Sequence, residues 1–550
     1  MKQQLVLFLA LTLSVLSCEK QEGAGKGRGK EDHVVAISAA FAPSVKASVA
    51  SSGVVTWSEG DQLGVYTSAD NIRSFTLSSG AGSPTATFSA TLGTGEAPST
   101  VAIYPSSSFK SCSGGRVTVN YPASYSYSPG TMLSPMAAIP SDGTLSFMHL
   151  GGLVQVTCAP VPDEATAFHL VCKDMRIVGN FSADVSATMS VVSSAAADNT
   201  KCRINFAAAQ GDTKIFQVPI PAGEYASIYA YFTDAGGNKI REWQVLKDVT
   251  VEPGDMFVRE MPELIRVMSY NWLLDSGTTD EKQPWTSVRK DHMISALPYR
   301  YYDIMGTQES TTQQIADVQA AVAGYNVSGT SHGGYPLSSV GSTSVYSVTA
   351  IFRKAGVTLL DSGTIWYSDT PSVSSRKTGG FTDKSGKAVT PAFQACNWAK
   401  LRFQGKVFYH FNAHFQVNVD RLTIGYDPVY TQIRLYQWSI LKPRIAAVAG
   451  DNPVILTGDF NNTAADEGDI IQTILGEGVF RDAYSLTPQP HGSAGTLHYF
   501  KASATSRRID FVFVNDKFQV ESYRVDASQQ SATLWESDHF PVIVDLSFAN

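Results

Sequence analysis

Two textures of apolar and polar positions divide this chain. From His33 to about Pro262, apolar residues come in short alternating runs such as Leu63-Gly64-Val65-Tyr66, Val101-Ala102-Ile103-Tyr104 and Ser227-Ile228-Tyr229-Ala230-Tyr231-Phe232. Clusters of Gly, Asp and Ser separate them, the pattern of short strands joined by tight turns. No long helical period interrupts it, so residues 33–262 are expected to form an all-β sandwich region, in two units dividing near residue 150. Past that point the texture changes. Ile265-Arg266-Val267-Met268-Ser269-Tyr270-Asn271 opens with a strand, and helical periods follow at Trp285 to Leu297, Gln313 to Ala323 and Tyr430 to Val448. They alternate with buried-looking strands at Thr349-Ala350-Ile351-Phe352, Val407 to Phe411 and Val454 to Thr457. Residues 263–550 therefore read as one α/β domain.

The first residues follow neither pattern. Lys2 precedes the apolar run Leu5 to Leu11, which is too short to span a bilayer and has the form of a signal-peptide core over residues 1–17. It ends in Val15-Leu16-Ser17-Cys18, which resembles a bacterial lipobox. That resemblance implies lipidation of Cys18, attachment to the outer membrane through it, and no transmembrane helix in the mature chain. Glu19-Lys20-Gln21-Glu22 resembles the surface-export signal of Bacteroidetes lipoproteins, which implies display on the cell face. Residues 18–32, rich in Gly and Lys without an apolar period, are expected to be a tether.

Charge and cysteine content narrow the chemistry. A net charge of −7 over 550 residues excludes a basic nucleic-acid clamp covering the whole surface. The segment from Leu264 onward is nearly balanced, so the acidic excess sits in the front half. Beyond Cys18 the cysteines are Cys112, Cys158, Cys172, Cys202 and Cys396, an odd number without CxxC spacing. That argues against a zinc site, and export permits a bridge among Cys158, Cys172 and Cys202 without choosing one.

The candidate chemistry gathers at strand ends in the back half, where open α/β folds assemble their sites. Asn271 ends the first strand, Glu309 follows Asp303-Ile304-Met305-Gly306-Thr307-Gln308, and His414 closes His410-Phe411-Asn412-Ala413. Asp459 and Asn461 end the strand from Pro453, Asp510 follows Arg508-Ile509, and Asp538 and His539 precede Pro541-Val542-Ile543-Val544. Carboxylates, an amide and imidazoles are the equipment for holding a divalent cation beside a phosphate ester and activating water against it.

Five phrases in order carry a family resemblance: Ser269-Tyr270-Asn271, Gly306-Thr307-Gln308-Glu309, Gly458-Asp459-Phe460-Asn461, Arg508-Ile509-Asp510 and Ser537-Asp538-His539. On these the back half resembles the endonuclease/exonuclease/phosphatase superfamily, the deoxyribonuclease-I-like fold. The resemblance implies a four-layer α/β sandwich and a phosphoester hydrolase dependent on Mg²⁺ or Mn²⁺. Glu309 is then the expected metal ligand, supported by the carbonyl oxygen of Asn271. His539 is the expected general base and Asp510 its orienting carboxylate. Asp459 and Asn461 would orient water and a phosphoryl oxygen, Asp538 would assist the metal or His539, and His414 would contact the phosphate. In the front half, Val55-Thr56-Trp57-Ser58-Glu59-Gly60-Asp61 and Phe147-Met148-His149-Leu150-Gly151-Gly152 resemble fimbrillin-like domains, whose modules serve in pili and surface anchoring.

Two departures stand out. Relatives of this branch carry a carboxylate just before the strand matching Ala350-Ile351-Phe352, where this chain has Ser347-Val348-Thr349. Many show Thr-His-Leu-Asp where Ala413-His414-Phe415-Gln416 stands here. Arg353 and Arg434 are further candidates for a phosphate clamp. The expected substrate is a phosphoester: nucleic acid, a lipid head group or a phosphorylated small molecule. A rival expectation is a surface adhesin with an inactive hydrolase-like domain; turnover of any phosphoester would separate the two.

Overall fold

The computed structural model describes residues 32–549, apart from 42–55, 130–133, 142, 186–188, 197, 208–211, 276–282, 336, 338–346, 419–426, 488–489, 501–506 and 528–534. Cys18 and the signal segment lie outside the described residues, as does all of the tether but its last position. Two compact units divide the chain. One comprises residues 1–237 and 244–261, the other residues 238–243 and 262–550.

The front unit is built from strands, its described helical structure being one short 3-10 turn at Ser106–Ser108. Seven strands form a closed barrel in the order His33–Phe41, Thr144–His149, Met136–Ser141, Pro98–Tyr104, Gln62–Thr67, Ile72–Ser79, Thr85–Leu92. This corrects the expected sandwich for that part of the chain. His33–Phe41 pairs antiparallel with Thr85–Leu92 and parallel with Thr144–His149, so its two edges are both used and the sheet closes. Alternation in sequence reports which face is buried and carries no information about such a long-range parallel partner. Trp57 fills the barrel, stacked on Phe41 at 4.1 Å between ring centroids and edge-on to Phe88 at 5.0 Å. The remaining strands form smaller sheets, and strands on either side of residue 150 pair there: Arg116–Tyr121 with Gly179–Asp184, and Ser124–Ser126 with Lys201–Asn205. Cys112, Cys158, Cys172, Cys202 and Cys396 are all free thiols.

In the second unit the strand Leu264–Asn271 is buried at every position, as befits a strand covered on both faces. It lies within a seven-stranded sheet ordered Tyr325–Ser328, Ile351–Lys354, Ile304–Gln308, Leu264–Asn271, Val542–Phe548, Phe518–Val525, His491–Gly492. A six-stranded sheet runs Thr358–Trp366, Ala395–Phe403, Lys406–His414, Val454–Asp459, Asp510–Val514, Arg481–Asp482. Ile265, Val267, Ile304 and Ile351 of the first sheet share one apolar core with Leu401, Phe408, Ile455 and Val512 of the second. On the first sheet's outer face, Met293, Ile315 and Val318 of two helices pack against Met268, Met305 and Phe352. Outside the second, Trp438, Leu441 and Ile445 of helix Pro428–Ala449, with Ile471 and Ile474, cover Phe411, Leu456 and Phe513. Helix, sheet, sheet, helix is the four-layer α/β sandwich that the family resemblance implies. No helix among the described residues is long and apolar enough to cross a membrane.

Polar groups occupy the sheet interface beneath the strand ends. Gln308 donates to Asn412 at 2.7 Å, Thr457 donates to Asn412 at 3.0 Å, and His410 bonds Thr457 at 2.8 Å, all buried. Gly306 makes room for this network, since a side chain there would run into Thr457 and Asn412. Gly306→Val is accordingly expected to destabilise the unit by about 1–3 kcal/mol through overpacking. A denaturant midpoint equal to that of the parent would refute this close-packing account.

Candidate active site

Strand register assembles the site. Parallel pairing sets Asn271 opposite Gln308 in one sheet and His414 opposite Asp459 in the other, while antiparallel pairing sets Asp459 opposite Asp510. Parallel strands end together, so polar residues just past each apolar run meet at one edge. Glu309 follows its strand with a φ of 55° and Asn461 follows its own with 51°. The left-handed region is easy for Asn and costly for Glu, and such strain collects at functional positions.

The side chains converge on Asp459. Glu309, His414 and Asp459 offer one potential ligand atom each within 4.8 Å of one another, and so do Asp459, Asp510 and His539. Asn271 donates through Nδ2 to Asp459 Oδ2 at 3.0 Å and to Glu309 Oε1 at 3.3 Å. Its Oδ1, the atom expected at the metal, instead accepts from the Leu273 N–H at 2.9 Å. The amide thus turns its donors to the carboxylates, the pairing that carboxylate oxygens demand. The Leu274 N–H donates to Glu309 Oε2 at 3.2 Å. The Asn461 N–H donates to Asp459 Oδ1 at 2.8 Å, and Asn461 Nδ2 lies 3.2 Å from His414 Nε2.

His539 and Asp510 form the tightest pair, Nδ1 to Oδ2 at 2.8 Å, and both are buried. The donating Nδ1–H fixes the ring's tautomer and leaves Nε2 toward Asp459 Oδ2 at 4.0 Å. Asp510 Oδ1 is buried without a hydrogen-bond partner. Asp538 is half-buried beside His539, receiving the Ser537 hydroxyl at 3.5 Å while its backbone carbonyl accepts from the His498 N–H at 2.9 Å. Asp538 is a neighbour of the two converging clusters and a member of neither.

Electrostatics follow from this crowding. Burial, reinforced by Asp510 and Glu309 and opposed by His539, pushes Asp459 up to about 8. Burial works against the charged form of His539, yet Asp510, Asp538 and Asp459 together hold its imidazolium well above the usual histidine range. Burial lowers His414, with Glu309 acting in the opposite direction. Glu309 ends below the ordinary carboxylate range because His414, His539 and the Leu274 N–H outweigh its burial. Carboxylates forced together in a buried place fit a divalent cation, which takes hard oxygen ligands. Glu309 and Asp459, flanked by Asn271 and His414, are the residues placed to hold one.

Two sequence candidates belong elsewhere. Arg434 is bound to Asp469 by Nε at 2.9 Å and by Nη2 at 2.5 Å, so it is a structural ion pair. Arg353 pairs with Ile304, at the opposite end of that strand from Glu309. Other residues escaped the sequence reading. Thr496 Oγ1 accepts the N–H groups of Ile509 and Asp510 at 3.1 and 3.2 Å, and its carbonyl accepts from Phe540 at 2.7 Å. Glu536 is held by Arg300 at 2.6 and 2.9 Å and by the Tyr270 hydroxyl at 3.0 Å. A lone Thr between Gly and Leu, or an Arg in a helical run, gives no signal of such a role.

Residues 282–539 match the family model of the Endonuclease/Exonuclease/phosphatase family, which supports that assignment for the C-terminal unit. The match supports a phosphoester hydrolase as its activity. Among solved structures, this chain is similar to an endonuclease/exonuclease/phosphatase family protein from Bacteroides thetaiotaomicron, with 26% identity, 53% of this chain and 100% of that chain covered, and a TM-score of 0.43. It is similar to an endonuclease/exonuclease/phosphatase from Bacteroides vulgatus, with 27% identity over 52% of this chain and 99% of that one, and a TM-score of 0.42. A mannosyl-6-phosphatase from Bacteroides thetaiotaomicron shares 25% identity over 52% of this chain and 100% of that one, with a TM-score of 0.41. No curated protein matches the chain.

Proposed function

We propose that the C-terminal unit hydrolyses phosphoesters with Mg²⁺ or Mn²⁺ at Glu309 and Asp459, and that it is carried on a lipoprotein anchored to the outer membrane through Cys18. The observation that carries the catalytic part is the pair of overlapping clusters sharing Asp459, Glu309 with His414 on one side and Asp510 with His539 on the other. A cation held there supplies positive charge to the phosphoryl oxygens as they gain electron density.

The chain's own residues do the rest. His539 Nε2 and Asp459 Oδ2, 4.0 Å apart, are too distant for a direct bond and close enough for one water oxygen to touch both. Proton uptake from that water belongs to the His539–Asp459 pair as a unit, with Asp510 holding the ring through Nδ1. Asn461 keeps Asp459 in place through its backbone N–H. His414, beside Glu309 and Asn461, faces the phosphoryl group and donates to it when protonated.

The test is a panel of bis-p-nitrophenyl phosphate, DNA, RNA, sphingomyelin, inositol phosphates and hexose phosphates, assayed with Mg²⁺ and with Mn²⁺. At least one is expected to turn over, and chelation by EDTA is expected to lower that rate about 100-fold, with recovery on adding metal back. Turnover indifferent to EDTA would remove the cation from this reading. Silence across the panel would favour an adhesin. Globomycin-sensitive processing and loss of membrane attachment in Cys18→Ala would test the anchor.

A further inference from the structure

We propose that Arg289 is a positioning residue of this site: its guanidinium fixes the spacing between Glu309 and the imidazole of His539. The inference rests on the hydrolase reading above.

Arg289 is 1% exposed, and among the described residues its guanidinium donates to four backbone carbonyls. Nε donates to Gln283 O at 2.6 Å, Nη1 to Trp272 O at 2.6 Å and Glu536 O at 3.2 Å, and Nη2 to Leu273 O at 3.1 Å. One planar group therefore gathers two chain segments that each carry half of the site. The first, Asn271 to Leu274, supplies Asn271 Nδ2 and the Leu274 N–H to the two oxygens of Glu309. The second, Glu536 to His539, leads directly to the imidazole. The segments also touch beside the guanidinium, where the Ser537 hydroxyl donates to Asn271 O at 2.7 Å. Behind them the Glu536 carboxylate is fixed by Arg300 and Tyr270.

The choice of residue has a physical reason. Joining three backbone stretches from one buried point takes several donors in fixed directions, which a guanidinium has and an ammonium lacks. A buried cation whose bonds among the described residues go to neutral carbonyls is expensive for stability alone. Burial indeed lowers the affinity of Arg289 for its proton, and Asp538, Tyr270, Asp275 and Glu309 act against that. Of these groups, Glu309 belongs to the site and Asp538 adjoins it. An apolar side chain would fill the space more cheaply and would leave both segments free to shift.

The experiment compares the full chain with Arg289→Met, Arg289→Lys and Arg266→Lys. Arg266 is a buried arginine near the start of the same strand that Asn271 ends, so Arg266→Lys reports what lost stability alone does. Each protein is followed by thermal unfolding, by calorimetric Mn²⁺ binding, and by kcat and KM on whichever phosphoester the parent turns over. Arg289→Met is expected to weaken Mn²⁺ binding and lower kcat by about 10–100-fold each, with KM little changed. Arg289→Lys should recover part of both, and Arg266→Lys neither loss. Parental Mn²⁺ affinity and kcat in a folded Arg289→Met would overturn the proposal, as would losses no larger than those of Arg266→Lys at equal stability. Should Arg289→Met fail to fold, parental values in Arg289→Lys would overturn it equally. A parent that binds Mn²⁺ but turns over nothing would count against the hydrolase reading, while the Mn²⁺ comparison still judges Arg289.

Discussion

His539→Ala is expected to lower phosphoester turnover about 1,000-fold, well beyond what its lower unfolding midpoint accounts for in protein that is still folded at the assay temperature. The ring commits its Nδ1 to Asp510 at 2.8 Å, while its Nε2, 4.0 Å from Asp459 Oδ2, is left to exchange a proton. Removing it takes away the proton acceptor and also leaves Asp510 buried without its partner. Asp510→Asn is the companion variant. It keeps the shape but loses the charge that favours the correct tautomer, so turnover should fall by a comparable factor, with a displaced pH–rate profile. Steady-state kinetics on a confirmed substrate decide the matter: a full rate in His539→Ala would exclude this histidine from the chemistry.

The second large effect concerns stability. Arg266→Met is expected to destabilise the C-terminal unit by about 3–5 kcal/mol, the cost of stranding a buried carboxylate. Arg266 meets Asp545 bidentately, Nε to Oδ1 at 2.8 Å and Nη2 to Oδ2 at 2.7 Å, and both side chains are 1% exposed. Burial alone would favour the neutral acid, but Arg266, then Arg241 and Arg524, hold Asp545 below the ordinary carboxylate range. Adding Asp545→Leu should restore much of the loss, because an apolar pair no longer strands a charge. Urea unfolding of the single and double variants checks this. A double variant as weak as Arg266→Met would show that the arginine's bonds to Lys239 O and Arg300 O matter more than the ion pair.

The sequence disclosed the site better than it disclosed what surrounds the site. Asn271, Glu309, His414, Asp459, Asp510 and His539 each follow an apolar strand, and parallel ends meet by geometry once the strands pair. The alternation of helical and extended periods likewise indicated an α/β domain, and the family resemblance implied its four layers. Barrel closure in the front unit was not visible, since it depends on which distant strands join rather than on which residues are apolar. Arg289, Arg300 and Glu536 were equally hidden. Charged residues in a sequence look solvated, and only tertiary packing shows that these three are buried. The amide of Asn271 lies beside Glu309 and Asp459 with its donors toward them, an orientation set by two carboxylates and one backbone N–H that meet only in the folded chain.

Chain order limits how the C-terminal unit can be cut out. Residues 238–243 belong to the C-terminal unit although residues 244–261, which follow them directly, belong to the other. Arg241 donates to Asp303 at 3.0 Å, and the Glu242 N–H donates to Asp545 at 3.1 Å. A gene fragment cut at the apparent boundary near residue 262 would omit both donors and expose the acids they serve. The catalytic half is thus not a freely portable cassette. Recombination or expression trials that keep the hexapeptide Asn238-Lys239-Ile240-Arg241-Glu242-Trp243 should yield soluble material where cuts after it do not.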